Sequence, residues 1–196
     1  MKIEIRADDT VHIEGYVNAV GRDSRPLPSA RGKFVEQVAP GTFERACRVR
    51  KPAVMHNHRR LLNAEAEFNE DSIGLHAAVD MHDAEIAEKA RKHELRGWSF
   101  GFTVNPGGDS WDDTAQPYAR RTLNNIDVPE VSLIDNTMTP CYVGTSVEVR
   151  GETEVTKETR ASEDDAIELV DTASEIKNAL DIQRKKFEIL KEKTKI

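Results

Sequence analysis

Three features of the 196-residue chain predict a β-rich α+β fold: short apolar runs alternating with polar residues, turn residues punctuating them, and an abrupt change of composition near residue 150. Up to Arg150 the chain is dense in turn residues and β-like runs. After Gly151 there is no further glycine and no proline, and Phe187 is the single aromatic. Seven or eight strands with two helices suit a small β-barrel or sandwich with helical decoration. Residues 1–150 are therefore expected to form one folded domain and residues 151–196 a charged, amphipathic helical tail.

Each element has its own local cause. Lys2-Ile3-Glu4-Ile5-Arg6 alternates as a strand does, and Val11–Val20 continues the pattern through Val11, Ile13 and Val17. A loop rich in Gly, Arg, Asp, Ser and Pro fills 21–32, and Phe34–Val38 alternates again. Pro40-Gly41-Thr42 introduces a short helix, Phe43–Arg48, with Thr42 as the expected N-cap. Pro52–His56 reads as a short apolar strand, and Ala64–Phe68 with Ile73–Val79 as a hairpin around Asn69–Ser72. Asp83 is placed to cap a helix running to about Leu95, with Ile86, Ala87, Ala90 and Leu95 near one face and Gly97 as its stop. Trp98–Val104 is a further strand, and Pro106-Gly107-Gly108 turns the chain. Ala119–Leu123, Glu130–Ile134 and Val143–Val149 complete the set.

In the tail, Leu169, Ala173, Ile176, Leu180, Gln183, Phe187 and Leu190 recur at spacings of four and three, a heptad seam with one polar position. A helix of about 25–30 residues is expected there; alone it is marginal in water. It should pack on something, most economically a second copy of itself, which predicts a homodimer or a co-assembly through this helix.

Composition narrows the functional classes. The net charge is −7, with −3 carried by the tail and −4 by residues 1–150, so neither part is a basic module suited to neutralising phosphates, and no nucleic-acid partner is expected. No apolar run approaches the roughly 20 residues of a membrane span, and neither a membrane partner nor a leader peptide is expected. Two cysteines, Cys47 and Cys141, are too few for a disulfide framework or a zinc site, which fits a reducing cytoplasm with both thiols buried. His76, His82 and His93 lack metal-ligand spacing, and no metal or cofactor is expected.

Chemistry concentrates in Arg96-Gly97-Trp98-Ser99-Phe100-Gly101-Phe102, where one hydroxyl lies among aromatic residues on a strand expected to be buried. Leaving a buried hydroxyl unpaired costs roughly 1–3 kcal/mol, so Ser99 needs a partner or a purpose. Gly97 and Gly101 beside it allow close backbone approach. Val54-Met55-His56-Asn57-His58 places two histidines at the end of another apolar run. If that strand continued, the two rings would face opposite sides, so only one could meet a given partner. Nucleophile and general base, Ser99 and His58, suggest a serine hydrolase. An imidazole base needs a group to fix its tautomer. Glu130, opening the apolar run Val131–Ile134, is a carboxylate that requires a partner if buried; Asp127 and Asp135 are the alternatives. The contiguous His56-Asn57-His58 also suggests a metal nuclease, but that signature is dispersed over a ββα fold. Gly107-Gly108-Asp109-Ser110 is similar to a serine loop of trypsin-like enzymes without its surroundings, and is read as a loop.

The ordered set Gly15-Tyr16-Val17-Asn18, Val38-Ala39-Pro40-Gly41-Thr42-Phe43, Asn57-His58, Gly74-Leu75, a helix, Arg96–Phe102 and Pro129-Glu130-Val131-Ser132-Leu133 resembles the prohead (capsid maturation) serine proteases of tailed bacteriophages, related in fold to the herpesvirus assemblins. The resemblance spans roughly residues 10–145. It implies a compact β-barrel of about seven strands surrounded by helices. The implied enzyme is a serine endopeptidase in the host cytoplasm, inside the assembling prohead, or in the bacterial cytoplasm for a prophage. Its implied substrates are scaffold and the scaffold-like region of the major capsid protein, and self-cleavage is included. Carried residue by residue, it makes Ser99 the nucleophile, His58 the general base and Glu130 the acidic partner. Arg120 or Arg121, with backbone amides, are candidate oxyanion donors. Two departures stand out: Arg59-Arg60 follows Asn57-His58 in place of a small polar residue, and Asp135-Asn136-Thr137-Met138 replaces small residues and proline. A non-enzymatic assembly protein with the same fold is the competing reading.

Overall fold

The computed structural model describes residues 1–8, 10–30, 32–138, 158–163 and 167–193; the strand expected at Val143–Val149 and Cys141 lie outside them. Its elements run β1 (Lys2–Ile5), β2 (Val11–Ala19), β3 (Leu27–Ser29), β4 (Gly32–Val38), α1 (Thr42–Val49), β5 (Ala53–His56), β6 (Arg60–Leu61), β7 (Ala64–Glu70) and β8 (Gly74–Met81). They continue with α2 (Ala84–Arg91), β9 (Leu95–Val104), β10 (Asp109–Asp112), β11 (Ala119–Leu123), β12 (Ile126–Asp135), β13 (Glu158–Glu163), β14 (Glu168–Asp171) and α3 (Thr172–Lys193).

Among the described residues the strands form three sheets: sheet I in the order β14-β1-β2-β8-β7, sheet II β10-β11-β4-β3, and sheet III β13-β9-β12-β5-β6. The fold is strand-rich with helices, as expected, but none of the sheets closes into a barrel. Fourteen strands are described where about seven were expected: β3, β6 and β10 are only three, two and four residues long and carry no readable alternation, and β13 and β14 lie in the segment expected to be helical. Each short strand ends its sheet or lies at an edge.

One apolar core joins the layers. Ile3, Ile5, Val11 and Ile13 enter it from sheet I, Phe43 and Ala46 from α1, Ile86 and Ala90 from α2, and Trp98, Phe100 and Phe102 from β9. Phe43 meets Phe100 edge-on with ring centroids 5.2 Å apart, so α1 packs on the aromatic face of sheet III.

The starts of α1 and α2 are both held by carboxylates, the one at α2 local and the one at α1 distant in sequence. Asp83 caps α2, its Oδ1 accepting from the backbone N–H of Ile86 at 3.0 Å. This helix ends at Arg91 rather than Leu95: His93 takes a left-handed φ of 55° and Leu95 already belongs to β9. At α1, Thr42 is not the N-cap. Gly41 holds that position at φ 79°, and the Glu70 carboxylate at the end of β7 accepts from the backbone N–H groups of Gly41 and Glu44. The Thr42 hydroxyl donates instead toward the Asn124 carbonyl.

The segment after residue 150 is not helical throughout. β14 pairs in parallel with β1, Ala173 is buried in the core, and Arg91 Nε donates to Asp171 at 2.8 Å. The helix itself, α3, spans 22 residues, and Leu169 lies in β14 rather than on it. Ile176 and Leu180 of the seam are half exposed. No helix among the described residues is long and apolar enough to cross a membrane.

Candidate active site

Sheet III sorts its side chains into two faces. β9 and β12 run antiparallel with Trp98 opposite Leu133, Phe100 opposite Val131, Ser99 opposite Ser132, and Gly101 opposite Glu130. Directly paired residues project from the same face and neighbours along a strand from opposite faces. Trp98, Phe100, Val131 and Leu133 therefore face the aromatic core, and Ser99, Ser132 and Glu130 share the other face with Gly97 and Gly101. Ser99 and Ser132 are fully buried and Glu130 nearly so.

A tight turn delivers the imidazole to that face. β5 and β6 form a hairpin with His56 opposite Arg60, and of the three connecting residues Asn57 and His58 have φ of 50° and 57°. Left-handed φ is uncommon outside glycine, and Asn and His tolerate it better than most residues. The Arg59 N–H donates to the His56 carbonyl at 3.1 Å, closing the turn. The His58 backbone N–H then donates to Ser132 Oγ at 2.7 Å, and its ring Nδ1 lies 2.8 Å from Glu130 Oε1.

The second histidine takes a different carboxylate. His56 Nε2 lies 3.1 Å from Asp135 Oδ2, both side chains being buried. Lys89 Nζ from α2 reaches the same oxygen at 2.8 Å. Burial pushes the Asp135 carboxyl up, but hydrogen bonds from Lys89, Thr137 and Asn57 outweigh it and hold the group well below the usual carboxylate range. This network anchors the turn: Asn57 Oδ1 accepts from the Asp135 N–H at 3.1 Å, Asn57 Nδ2 donates to Thr137 Oγ1 at 3.3 Å, and Asn57 N–H donates to the Leu133 carbonyl at 2.9 Å.

Among the three carboxylates considered for the imidazole, Glu130 is the one in contact with His58. Asp135 serves His56, and Asp127 accepts from Asn105 Nδ2 at 3.2 Å. The two arginines expected as oxyanion donors are committed on sheet II: Arg120 forks onto Asp23 at 2.8 and 2.7 Å, and Arg121 bridges Asp109 and Glu36. Both sequence departures take structural partners. Arg60 pairs with Asp83, the cap of α2, and Asp135 with Thr137 forms the turn anchor.

Sequence reasoning missed Ser132. The signal was present, since the argument that a buried strand hydroxyl needs a partner applies to Pro129-Glu130-Val131-Ser132-Leu133 as it does to Ser99. Among the described residues no cluster of three or more His, Cys, Asp or Glu side chains could hold a metal ion.

No curated protein and no solved structure matches the chain. Its sequence matches, over residues 1–159, the family described as caudovirus prohead serine protease. With most of its length inside that match, and with an imidazole–carboxylate pair set on the face that carries a buried serine, the chain belongs to the prohead serine protease family of tailed phages.

Proposed function

We propose that Ser99 is the nucleophile, His58 the general base and Glu130 the group that orients it, and that the enzyme cleaves scaffold and the scaffold-like region of the major capsid protein. The observation that carries this reading is the 2.8 Å contact between His58 Nδ1 and Glu130 Oε1, on the face of sheet III from which Ser99 projects. A carboxylate can only accept, so Nδ1 carries the proton and the lone pair of Nε2 is left to receive one. Ser99 Oγ attacks the scissile carbonyl carbon as His58 Nε2 takes its proton. The tetrahedral adduct collapses, the C–N bond breaks, and the amine leaves with the proton from His58. Water, deprotonated in turn by His58, hydrolyses the acyl-serine and restores both groups.

Self-cleavage belongs to this reading, as does a role for α3 in carrying the enzyme into the assembling shell, either by pairing with a second copy or with helical scaffold. Half-exposed Ile176, Leu180 and Ile182 support an outward-facing helix. The test is cleavage of purified capsid precursor and scaffold by the wild-type chain and by Ser99→Ala. Wild-type cleavage with loss in the variant is expected. Equal cleavage by both would remove Ser99 from the mechanism. Intact mass of the wild-type chain, 22.0 kDa at the outset, reads self-trimming in the same incubation.

A further inference from the structure

The strand that carries Ser99 has two edges with different neighbours. On one side β12 supplies Ser132 and Glu130, and through them the His58 turn. On the other side β13 runs antiparallel, with Glu158 opposite Phe102, Arg160 opposite Phe100, Ala161 opposite Ser99 and Glu163 opposite Gly97. His58 is thus anchored on the β12 side of Ser99, and the in-plane neighbour left for an extended peptide is the one β13 now occupies. Ser99 is fully buried in this arrangement, so no substrate reaches it without a movement of the chain.

The composition of β13 suits a strand that can leave. Its sequence, Glu-Thr-Arg-Ala-Ser-Glu, contains no Val, Ile, Leu or aromatic residue, and half of its residues, two Glu and one Ala, are of types depleted in strands. A strand of this kind is held at an edge by main-chain hydrogen bonds, and an incoming extended backbone supplies the same bonds. The family match also ends at residue 159, so all but the first two residues of β13 lie beyond it.

We propose that the outer edge of β9 is the docking edge for substrate, which binds as an extended peptide antiparallel to β9 with its scissile region opposite Ser99, and that β13 holds this edge in cis until it is displaced. The proposal rests on the protease reading and names how its substrate is held. Recognition is through the backbone of an extended, locally unfolded segment, and cis occupancy reduces the apparent affinity by the fraction of molecules whose edge is open.

The test uses the full chain. Adjacent residues of a strand send their N–H groups to opposite edges, so of Ala161→Pro and Ser162→Pro one removes a ladder bond to β9 and the other faces away. In a Ser99→Ala background, binding of a fluorescein-labelled peptide with the sequence of residues 156–165 is measured by anisotropy. The ladder-breaking proline is expected to strengthen binding by about tenfold or more over the chain with intact β13, and the other proline to leave it unchanged. Equal affinity in all three chains, or no binding in any, overturns the docking edge. In the Ser99-bearing chain, the same ladder-breaking proline is expected to speed labelling of Ser99 by a fluorophosphonate. Labelling at an unchanged rate overturns the proposal while leaving the protease reading standing. Absence of Ser99 labelling in every chain contradicts the protease reading, and the peptide measurement still decides the edge.

Discussion

His58 and Glu130 are 72 residues apart in sequence and 2.8 Å apart in space, Nδ1 to Oε1, and the same histidine rests its backbone N–H on Ser132, two residues from Glu130. The imidazole is thus held twice by one face of β12, once through its ring and once through its backbone. For a general base this fixes both the tautomer and the position. Glu130→Gln keeps the shape of the contact but replaces the carboxylate by an amide that can present either donor or acceptor. We expect kcat to fall by about 10²–10⁴-fold, the range for losing the orienting group of such a triad, with KM little changed. Steady-state kinetics on a peptide substrate checks this, and wild-type kcat in the variant would remove Glu130 from the site.

Asn57 offers a sharper test of how the turn is held. Glycine at this position adopts the left-handed φ of 50° without cost but loses the amide bonds to Asp135 and Thr137. If the side chain positions His58, Asn57→Gly lowers kcat by roughly 10–100-fold with KM retained, since misplacement by about 1 Å costs that much. If Asn57 serves only to tolerate φ, the glycine variant turns over as wild type.

Acid sensitivity follows from Asp135. Its folded pKa lies below that of the unfolded chain, so its ionised form stabilises the fold above the unfolded value of about 3.9, and that stability is lost as pH falls from there toward the folded value. The melting temperature of the wild-type chain should drop steeply below about pH 4. Asp135→Asn should melt lower than wild type at pH 7 and show a shallower acid slope. Parallel pH profiles for the two chains would contradict this account of the network.

Glu70 carries a long-range cap, its carboxylate accepting from Gly41 and Glu44 at the start of α1. Glu70→Ala should cost about 1 kcal/mol, a typical N-cap loss. That corresponds to a fall in melting temperature of roughly 2–4 °C for a chain of this size. Glu67→Ala, exposed on the same strand, is the control and should leave the melt unchanged.

Burial, aided by the charge of Glu70, pushes the Cys47 thiol up to about 11. Alkylation of the native chain by iodoacetamide at pH 8, mapped by peptide mass, should therefore be slow at Cys47 and become fast in denaturant. Rapid native labelling at this residue would contradict its environment.

Legibility in the sequence followed the range of the interactions. The alternation of Val11–Val20, the hairpin at 64–79, the Asp83 cap and the strand at 119–123 were readable because each is set by residues within a few positions of one another. Glu130 was readable as a carboxylate in an apolar strand, a placement that demands a partner. The α1 cap was misassigned to Thr42 because the group that fills it comes from β7, 26 residues on from Glu44. Sheet closure was misjudged because β3, β6 and β10 are too short to carry a pattern, and they lie where the sheets end or turn. Ser132 and the Asp135 network became visible only when β5 and β12 were laid side by side, since their register and not their composition sets Asn57 against Asp135 and His58 over Ser132.

In the proposed mechanism Ser99, rather than the equally buried Ser132 opposite it, is the nucleophile served by His58. Peptide mapping of the chain after reaction with a fluorophosphonate, under conditions in which it cleaves substrate, distinguishes the two serines. A single phosphonylated serine is expected at Ser99, lost in His58→Ala and retained in Ser132→Ala. Modification of Ser132 in place of Ser99, or labelling of Ser99 at an undiminished rate in His58→Ala, would contradict it.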